Sequence, residues 1–437
     1  MYKKSRFNLE LKHNSRSFIY NAYTGALGEI ESEQFDYYSS DLYERLTDIE
    51  QWLEMGFLVP RSLNEIKLMK LSFEHNRFRP DLFLTIAPTL LCNCSCNYCF
   101  QDKSPHTMTP DIYEAIEEMI CHQLMHTQNQ LPISWYGGEP FLCLDEIAAF
   151  SQKLAAQIGR RRLQYNFVTN GTLIDEALLK RIQCYASIRS FQISLDGPLA
   201  YHDEIRVYKN GSGTYQDIIK NLPRLAKYGQ IVIRINVDNH NLDTIEELLE
   251  DLSQKLPSQM KAIIYFANIQ RCNTNVKSAP ERYIGPMKFW ESRLKLNRLA
   301  QRYGIKVENL PTCSMGCTYS AQHAFVIDPQ GNCYKCWDFI GNPDYIIGNV
   351  RDYGNIYMNP EYLRELSFNP YESQDCPQCN LLPLCKSGCL ATMNGDLPDM
   401  QERLSCREIQ NIFRKCIKAK IKYTEFLIQE EPNENIS

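Results

Sequence analysis

The sequence predicts an α/β protein: a partial (β/α)6 TIM-type barrel, preceded by a small N-terminal α+β element and followed by an irregular, Cys-rich C-terminal region. Three observations lead there. From residue 82 onward, short apolar or β-branched runs alternate with amphipathic stretches, a pattern of parallel strands joined by crossover helices. Six such units fit before residue 306, short of the eight that close a full barrel. Past residue 310 the alternation ends, and ten of the chain's 18 cysteines crowd into the remainder.

Residues 1–80 join a β-like start, Phe7-Asn-Leu-Glu-Leu11, to a turn-bearing stretch from Tyr20 to Gly28. Apolar residues at Leu42, Leu46, Ile49, Trp52 and Leu53 predict one helix over Ser40–Met55, closed by Gly56 as its C-cap. The barrel strands are expected at Leu82–Leu91, Ile133–Tyr136, Leu163–Thr169, Ser190–Leu195, Ile231–Val237 and Ala262–Ala267. Helices are expected at Pro110–Met125, Glu146–Ile158, Thr214–Tyr228 and Leu242–Leu256, the last with Asp243 or Thr244 as its N-cap. A helix over Met287–Tyr303 ends the barrel region, and another is predicted at Cys406–Ile428. The domains therefore read as 1–80, 81–305 and 306–437, with metal rather than a hydrophobic core expected to hold the third together.

Composition narrows the function. With 47 Lys+Arg against 52 Asp+Glu, the chain lacks the basic excess of a general nucleic-acid-binding surface. It has no run of 18 apolar residues, so a membrane span is not expected. The opening Met1-Tyr-Lys-Lys-Ser-Arg lacks an export signal, which points to a reducing, cytoplasmic setting. Dense cysteine there indicates metal or redox chemistry rather than disulfides. The isolated cysteines 121, 143, 184 and 272 need only pack as small hydrophobes. A phosphate loop, a dinucleotide fingerprint and a His-Glu-x-x-His zinc motif are all missing.

Cys92-x3-Cys96-x2-Cys99 directly follows the first barrel strand, at the end where barrel active sites lie. Three thiolates in so tight a loop suit one face of an iron–sulfur cube, leaving the fourth iron open if Cys94 stays out. The competing reading is a zinc knuckle, although three-Cys zinc sites normally recruit a fourth protein ligand.

These cysteines, with Tyr98 before the last, resemble the radical S-adenosylmethionine superfamily. The likeness spans about residues 82–272 and extends to Trp135-Tyr-Gly-Gly-Glu-Pro140, Thr169-Asn-Gly171, Ser194-Leu-Asp-Gly-Pro198 and Arg206. The resemblance implies that Gly137, Gly138, Glu139 and Pro140 take the amino group of the cofactor's methionine moiety. It places Ser194 and Arg206 on the ribose and carboxylate, Tyr98 near the adenine, and Asn170 and Asp196 in the same cofactor site. An arginine fork suits a carboxylate. The implied chemistry is reductive cleavage of S-adenosylmethionine to a 5′-deoxyadenosyl radical that removes a substrate hydrogen.

The C-terminal region is similar to the SPASM extension of that superfamily, an irregular Cys-rich iron–sulfur domain with two auxiliary [4Fe–4S] clusters, making three in all. The similarity implies Cys313, Cys317, Cys336 and Cys389 for one cluster and Cys376, Cys379, Cys385 and Cys406 for the other. Cys416 is the alternative to Cys406, and Cys333 is a spare. The relatives so implied modify peptides: maturases that install thioether or carbon–carbon cross-links in ribosomally made peptides, and anaerobic sulfatase-maturating enzymes that form formylglycine. The second type carries an Asp immediately after the cysteine equivalent to Cys336; here Trp337 stands there and Asp338, a candidate base, comes one later. A non-catalytic iron–sulfur or zinc scaffold is the competing class. Expected partners are a peptide or protein substrate and a ferredoxin- or flavodoxin-type electron donor. Residues 1–80 are expected either to bind a leader peptide by strand addition or to cover the bottom of the barrel.

Overall fold

The computed structural model describes residues 1–99, 101, 104–124, 129–257, 260, 262–269, 282–307, 317–385, 388–389 and 405–430, the stretch 422–430 by its backbone alone. Cys272 and Cys313 lie outside the described residues.

The N-terminal part holds more strand than its sequence suggests. β1 (Tyr2–Lys4), β2 (Asn8–His13), β3 (Arg16–Asn21) and β4 (Leu27–Ile30) precede α1 (Ser32–Ser39), α2 (Ile49–Glu54), β5 (Leu58–Pro60) and α3 (Glu65–Phe78). β2, β3 and β4 form an antiparallel sheet, and β1 pairs with β5. The β2–β3 hairpin turns on Asn14 and Ser15 with φ of 48° and 62°, the positive values that match strand twist in a two-residue loop. The single helix expected over Ser40–Met55 does not form. Asp41 and Asp48 adopt φ of 60° and 48°, which breaks the run, and Asp48 then caps α2 by accepting from the Gln51 N–H. Gly56, at φ +75°, ends that segment as expected.

The barrel follows the predicted alternation: β6 (Phe83–Ile86), α4 (Pro110–Leu124), β7 (Leu131–Trp135), α5 (Leu144–Ile158), β8 (Leu163–Thr169), α6 (Glu176–Gln183), β9 (Ser187–Ser194), α7 (Leu199–Ile205), α8 (Tyr215–Leu225), β10 (Gln230–Val237), α9 (Ile245–Lys255), β11 (Ile263–Asn268), α10 (Pro286–Arg302) and β12 (Lys306–Val307). Thr244 occupies the N-cap position of α9 without a side-chain capping bond. Strands β6 to β12 are parallel and in sequential order. Alternate residues, such as Ile231, Ile233, Ile235 and Val237 of β10, pack into the helices as the main core. The intervening positions are more polar and, Asn236 apart, only partly buried, which gives the inside of the barrel the character of a site rather than a core.

The expectation that metal alone organises the C-terminal region needs correction. β13 (Ala324–Ile327) is fully buried and pairs in parallel with β6, and β14 (Asn332–Tyr334) and β15 (Gly348–Asn349) extend the same ten-stranded sheet antiparallel. Backbone pairing and apolar burial thus fix the start of this region without a metal. The N-terminal sheet also finds its partner here. Phe7, Leu9, Leu11, Phe18 and Tyr20 share a core with Leu381 and with Ile417 and Ile421 of the terminal helix Cys406–Glu430. Arg6 donates to Pro377 O at 2.5 Å and Asn380 to Asn8 O at 3.4 Å. The N-terminal element therefore sits on the cysteine-rich region. Among the described residues, no helix is long and apolar enough to cross a membrane.

Candidate active site

The cysteine loop leaves β6 and is held on two sides. On one, Ser95 N–H donates to Val207 O at 2.7 Å, Asn97 N–H to Ile205 O at 3.1 Å, and Lys209 N–H to Asn93 O at 3.2 Å. On the other, Gly138 N–H donates to Thr89 O at 2.9 Å and Glu139 N–H to Leu91 O at 2.8 Å. A Cβ on Gly137 would collide with Thr89 O, and one on Gly138 with Leu91 O and Leu90 O. Those glycines thus permit close approach of two backbone segments, a constraint additional to any ligand contact.

Side chains complete the frame. Glu139 is fully buried and accepts from Thr169 Oγ1 and Asn170 N–H, both at 2.7 Å, and from Phe141 N–H at 3.0 Å. Burial lifts its carboxyl to about 7 against these bonds. It therefore ties the end of β7 to the end of β8. Pro140, also buried, starts the short helical turn that follows. Asn170 donates to Asn93 Oδ1 at 2.7 Å and lies 3.7 Å from Cys92 Sγ.

Tyr98, Asp196 and Arg206 meet at the end of β9. Arg206 Nε donates to Asp196 Oδ2 at 2.5 Å, Nη2 bonds Tyr98 OH, and Nη1 lies 3.7 Å from Cys96 Sγ. Tyr98 OH also donates to Asp196 Oδ2, and Asn236 adds Nδ2–H bonds to Asp196 Oδ1 at 2.9 Å and to Tyr98 OH at 3.2 Å. Asp196 is completely buried and both of its oxygens serve protein donors, so it positions Arg206 and Tyr98 from behind. Burial pushes its carboxyl up, but the charge of Arg206 and the hydrogen bonds from Tyr98 and Arg206 outweigh this and hold it below the usual carboxylate value. Ser194, partly exposed, lies at the end of β9 in register with Arg234.

Cys92, Cys96 and Cys99 lie on one loop within this frame. Burial raises the Cys96 thiol; the Arg206 charge opposes that, and Cys99 and Cys92 add to it. Among the described residues no three such side chains stand at metal-ligand separations, so their neighbourhood rather than a coordination shape describes the site. That neighbourhood fits an iron–sulfur cluster: three thiols together, with an amide and a guanidinium donor against two of the sulfurs. Cys94 is buried beneath the loop, its N–H donating to Cys92 Sγ at 3.4 Å.

In the C-terminal region, burial raises the Cys336 thiol, with Asp338, Cys317 and Cys389 adding to the effect; burial likewise raises Cys317, with Cys389 contributing. Three of the four cysteines of the first implied set are therefore neighbours, including Cys389 from far along the chain. Of the second set, Gln410, one turn along the terminal helix from Cys406, donates to Cys379 Sγ at 3.7 Å. Cys376 and Cys379 are linked through a Cys379 N–H to Cys376 O bond of 3.1 Å, and Cys385 ends a short helix from Leu382. Cys416 is buried, with the charge of Arg293 on α10 beside it, and Cys333 is fully buried in β14.

Asp338 is half-buried above the barrel mouth, where Cys336 Sγ donates to its Oδ2 at 3.8 Å. Burial raises its carboxyl, while the Arg234 charge pulls it back. Trp337 stacks on Tyr136 at 6.1 Å and 28°, so the C-terminal region touches the barrel next to Gly137. Sequence reasoning missed Asn236, His202, Arg234 and Tyr136. The first and third were signalled by polar residues at alternate positions of the otherwise apolar run Ile231–Val237.

Comparison with known proteins places this geometry. Residues 86–252 match the radical SAM superfamily. The chain is 23% identical over 357 residues to a cysteine-type anaerobic sulfatase-maturating enzyme of Clostridium novyi, covering 75% of this chain and 92% of that one. It is 21% identical to the radical SAM cyclopropyl synthase TigE of Paramaledivibacter caminithermalis, covering 89% of each. Its fold is similar to that of Streptococcus suis SuiB bound to precursor peptide SuiA, with a TM-score of 0.54, 15% identity and coverage of 91% and 98%. The cysteine loop and the strand-end residues around it belong to the matched segment, and this chain carries a radical SAM domain over residues 86–252.

Proposed function

We propose that this chain uses S-adenosylmethionine to modify a side chain of a peptide or protein, most specifically to install a thioether or carbon–carbon cross-link in a ribosomally made peptide. When bound at an iron–sulfur cluster on Cys92, Cys96 and Cys99, the cofactor supplies radical hydrogen abstraction; the protein supplies position. Gly137, Gly138, Glu139, Pro140, Asn170 and Ser194 frame its place, with Tyr98, Asp196 and Arg206 behind the loop. The observation that carries the reading is the single loop at the strand ends that bears three thiols, with Asn170 and Arg206 against two of the sulfurs and Trp337 stacked on Tyr136 beside it.

Two auxiliary [4Fe–4S] clusters belong to the proposal, one on Cys313, Cys317, Cys336 and Cys389, the other on Cys376, Cys379, Cys385 and Cys406. The mutual charge effects among Cys317, Cys336 and Cys389 support the first set. For the second, Gln410 beside Cys379 favours Cys406, whereas Cys416 is buried beside Arg293. A ferredoxin- or flavodoxin-type donor in the cytoplasm would deliver the electron.

Peptide recognition would fall to β4. The Asn21 N–H to Ala26 O bond and the β3–β4 register leave the N–H and C=O groups of Leu27 and Glu29 pointing away from β3, on an edge that pairs with no other strand among the described residues. An extended leader peptide can add there. The test is anaerobic turnover with synthetic peptides from any short reading frames found beside the gene. A mass loss of two hydrogens per cross-link, matched by 5′-deoxyadenosine, is expected; cofactor cleavage with an unmodified peptide would contradict the peptide assignment.

A second reading, formylglycine formation on a sulfatase, is favoured by one observation. Asp338, although displaced by one residue, lies near enough to Tyr136 and Arg234 to exchange charge effects with both. A Cys-containing sulfatase peptide offered under the same conditions separates the two.

A further inference from the structure

Lys335 is the one lysine among the described residues that is completely buried. β14 ends at Tyr334, so Lys335 stands between that strand and Cys336. Its Nζ donates to Ala324 O, at the start of β13, at 2.8 Å and to Ala321 O at 2.5 Å. The rings of Phe325 and Tyr362 lie 5.4 and 5.6 Å from the ammonium.

Ala321 directly follows a turn that begins at Cys317. Cys317 O accepts from Ser320 N–H at 3.1 Å and from Ser320 Oγ at 3.0 Å. One ammonium therefore joins the turn that carries Cys317 to the strand end that carries Cys336. Both cysteines belong to the set proposed for the first auxiliary cluster. The two segments also feel each other electrically: burial raises the Cys317 thiol, and the charge of Lys335 opposes that. Burial in turn lowers the pKa of Lys335, and the charges of Glu365 and Cys317 act against it. Glu365 is itself buried, on the helix Pro360–Ser367.

Burying a cation costs far more than burying a methionine of similar length, and two carbonyls offset only part of that. An apolar side chain would serve the packing alone. A cluster held by four thiolates carries net negative charge, and a neighbouring ammonium stabilises the more negative, reduced state.

We propose that Lys335 is a positioning and charge-setting residue for the first auxiliary cluster: it fixes the Cys317 turn against the Cys336 strand end, and its charge raises the cluster's reduction potential. The cluster itself rests on the function proposed above.

The experiment uses the anaerobically reconstituted full chain with Cys92, Cys96 and Cys99 changed to Ala, which silences the barrel cluster and leaves the two auxiliary ones. Midpoint potentials are read by EPR-monitored redox titration, with iron content as the loading control. Lys335→Met should move one of the two one-electron waves downward, by roughly tenfold in the ratio of reduced to oxidised cluster at a fixed potential. Glu365→Gln should move the same wave upward, because the opposing charge is gone. A purely structural fault lowers iron content or disturbs both waves, and its effect does not change sign between the two variants. Waves that stay in place in both iron-loaded variants, or that move in the same direction in both, overturn the role. Where Lys335→Met loads no iron, Glu365→Gln decides alone, and the absence of its upward shift overturns the proposal. A parent protein that loads no iron without Cys92, Cys96 and Cys99 overturns the auxiliary clusters proposed above, and the role of Lys335 with them.

Discussion

His202 shows how tightly the ground behind the cysteine loop is packed. It is completely buried, with Nδ1 accepting from the Asp196 N–H at 3.2 Å and Nε2 against Thr214 Oγ1 at 3.0 Å, a pattern only the neutral ring can satisfy. Burial lowers its pKa from 6.5 to about 4. An unfolded chain takes up this proton at higher pH than the folded one, so stability is lost as pH falls from about 6.5 to about 4. The loss from this residue reaches about 3 kcal/mol below both values. Urea unfolding of the iron-free protein at pH 7 and pH 4.5 checks this, and His202→Gln should flatten the difference. Gly138 makes a second point. Gly138→Ala drives a methyl group into Leu91 O and costs about 1–3 kcal/mol or more. Lower iron content after reconstitution is expected, because the displaced segment runs into Cys92; wild-type iron content would show that the loop tolerates the shift. Neither consequence was legible in the sequence, where His202 is one residue in a helix and the glycines read only as approach points for a ligand.

Strand and helix periods were legible where one face is buried and the other is not. All six expected barrel strands overlap their apolar runs, although β6 stops at Ile86 rather than Leu91 and β12 was not expected, and the terminal helix begins at Cys406 as predicted. The misreading of residues 40–55 has a local cause: two aspartates in left-handed conformation interrupt an otherwise helical spacing. β13 was hidden for another reason. Four consecutive buried residues carry no alternation, so Ala324–Ile327 reads as a loop until its partner β6 is seen. The placement of the N-terminal sheet alters how leader binding should be tested. Deleting residues 1–80 would strip the cover from Leu381, Ile417 and Ile421 and damage the cysteine-rich region. Glu29→Pro is a gentler probe, since it removes an outward N–H of β4 and leaves the β3–β4 ladder intact. KM for the precursor peptide should rise at least several-fold while cofactor cleavage without peptide is unchanged. An unaltered KM would remove β4 from the account.

The whole molecule is organised around one mouth. The radical SAM domain supplies the cysteine loop and the strand-end frame, β13 to β15 lengthen its sheet, and Trp337 and Asp338 close over Tyr136. The cysteine spacing was sufficient to identify the loop and the strand-end motifs. It was not sufficient to show that Asp196 and Arg206 are bound to each other, or that Arg234 lies inside the barrel, because both depend on register between strands distant in sequence. Reconstitution should load about twelve irons if all three proposed [4Fe–4S] clusters form. The central claim is cofactor cleavage at the first of them. Its most direct test is 5′-deoxyadenosine formation from S-adenosylmethionine under anaerobic reducing conditions, by the wild-type protein and by Cys96→Ala. Formation by the wild type and its loss in Cys96→Ala is the predicted result; equal product from both, or none from an iron-loaded wild type, would contradict it.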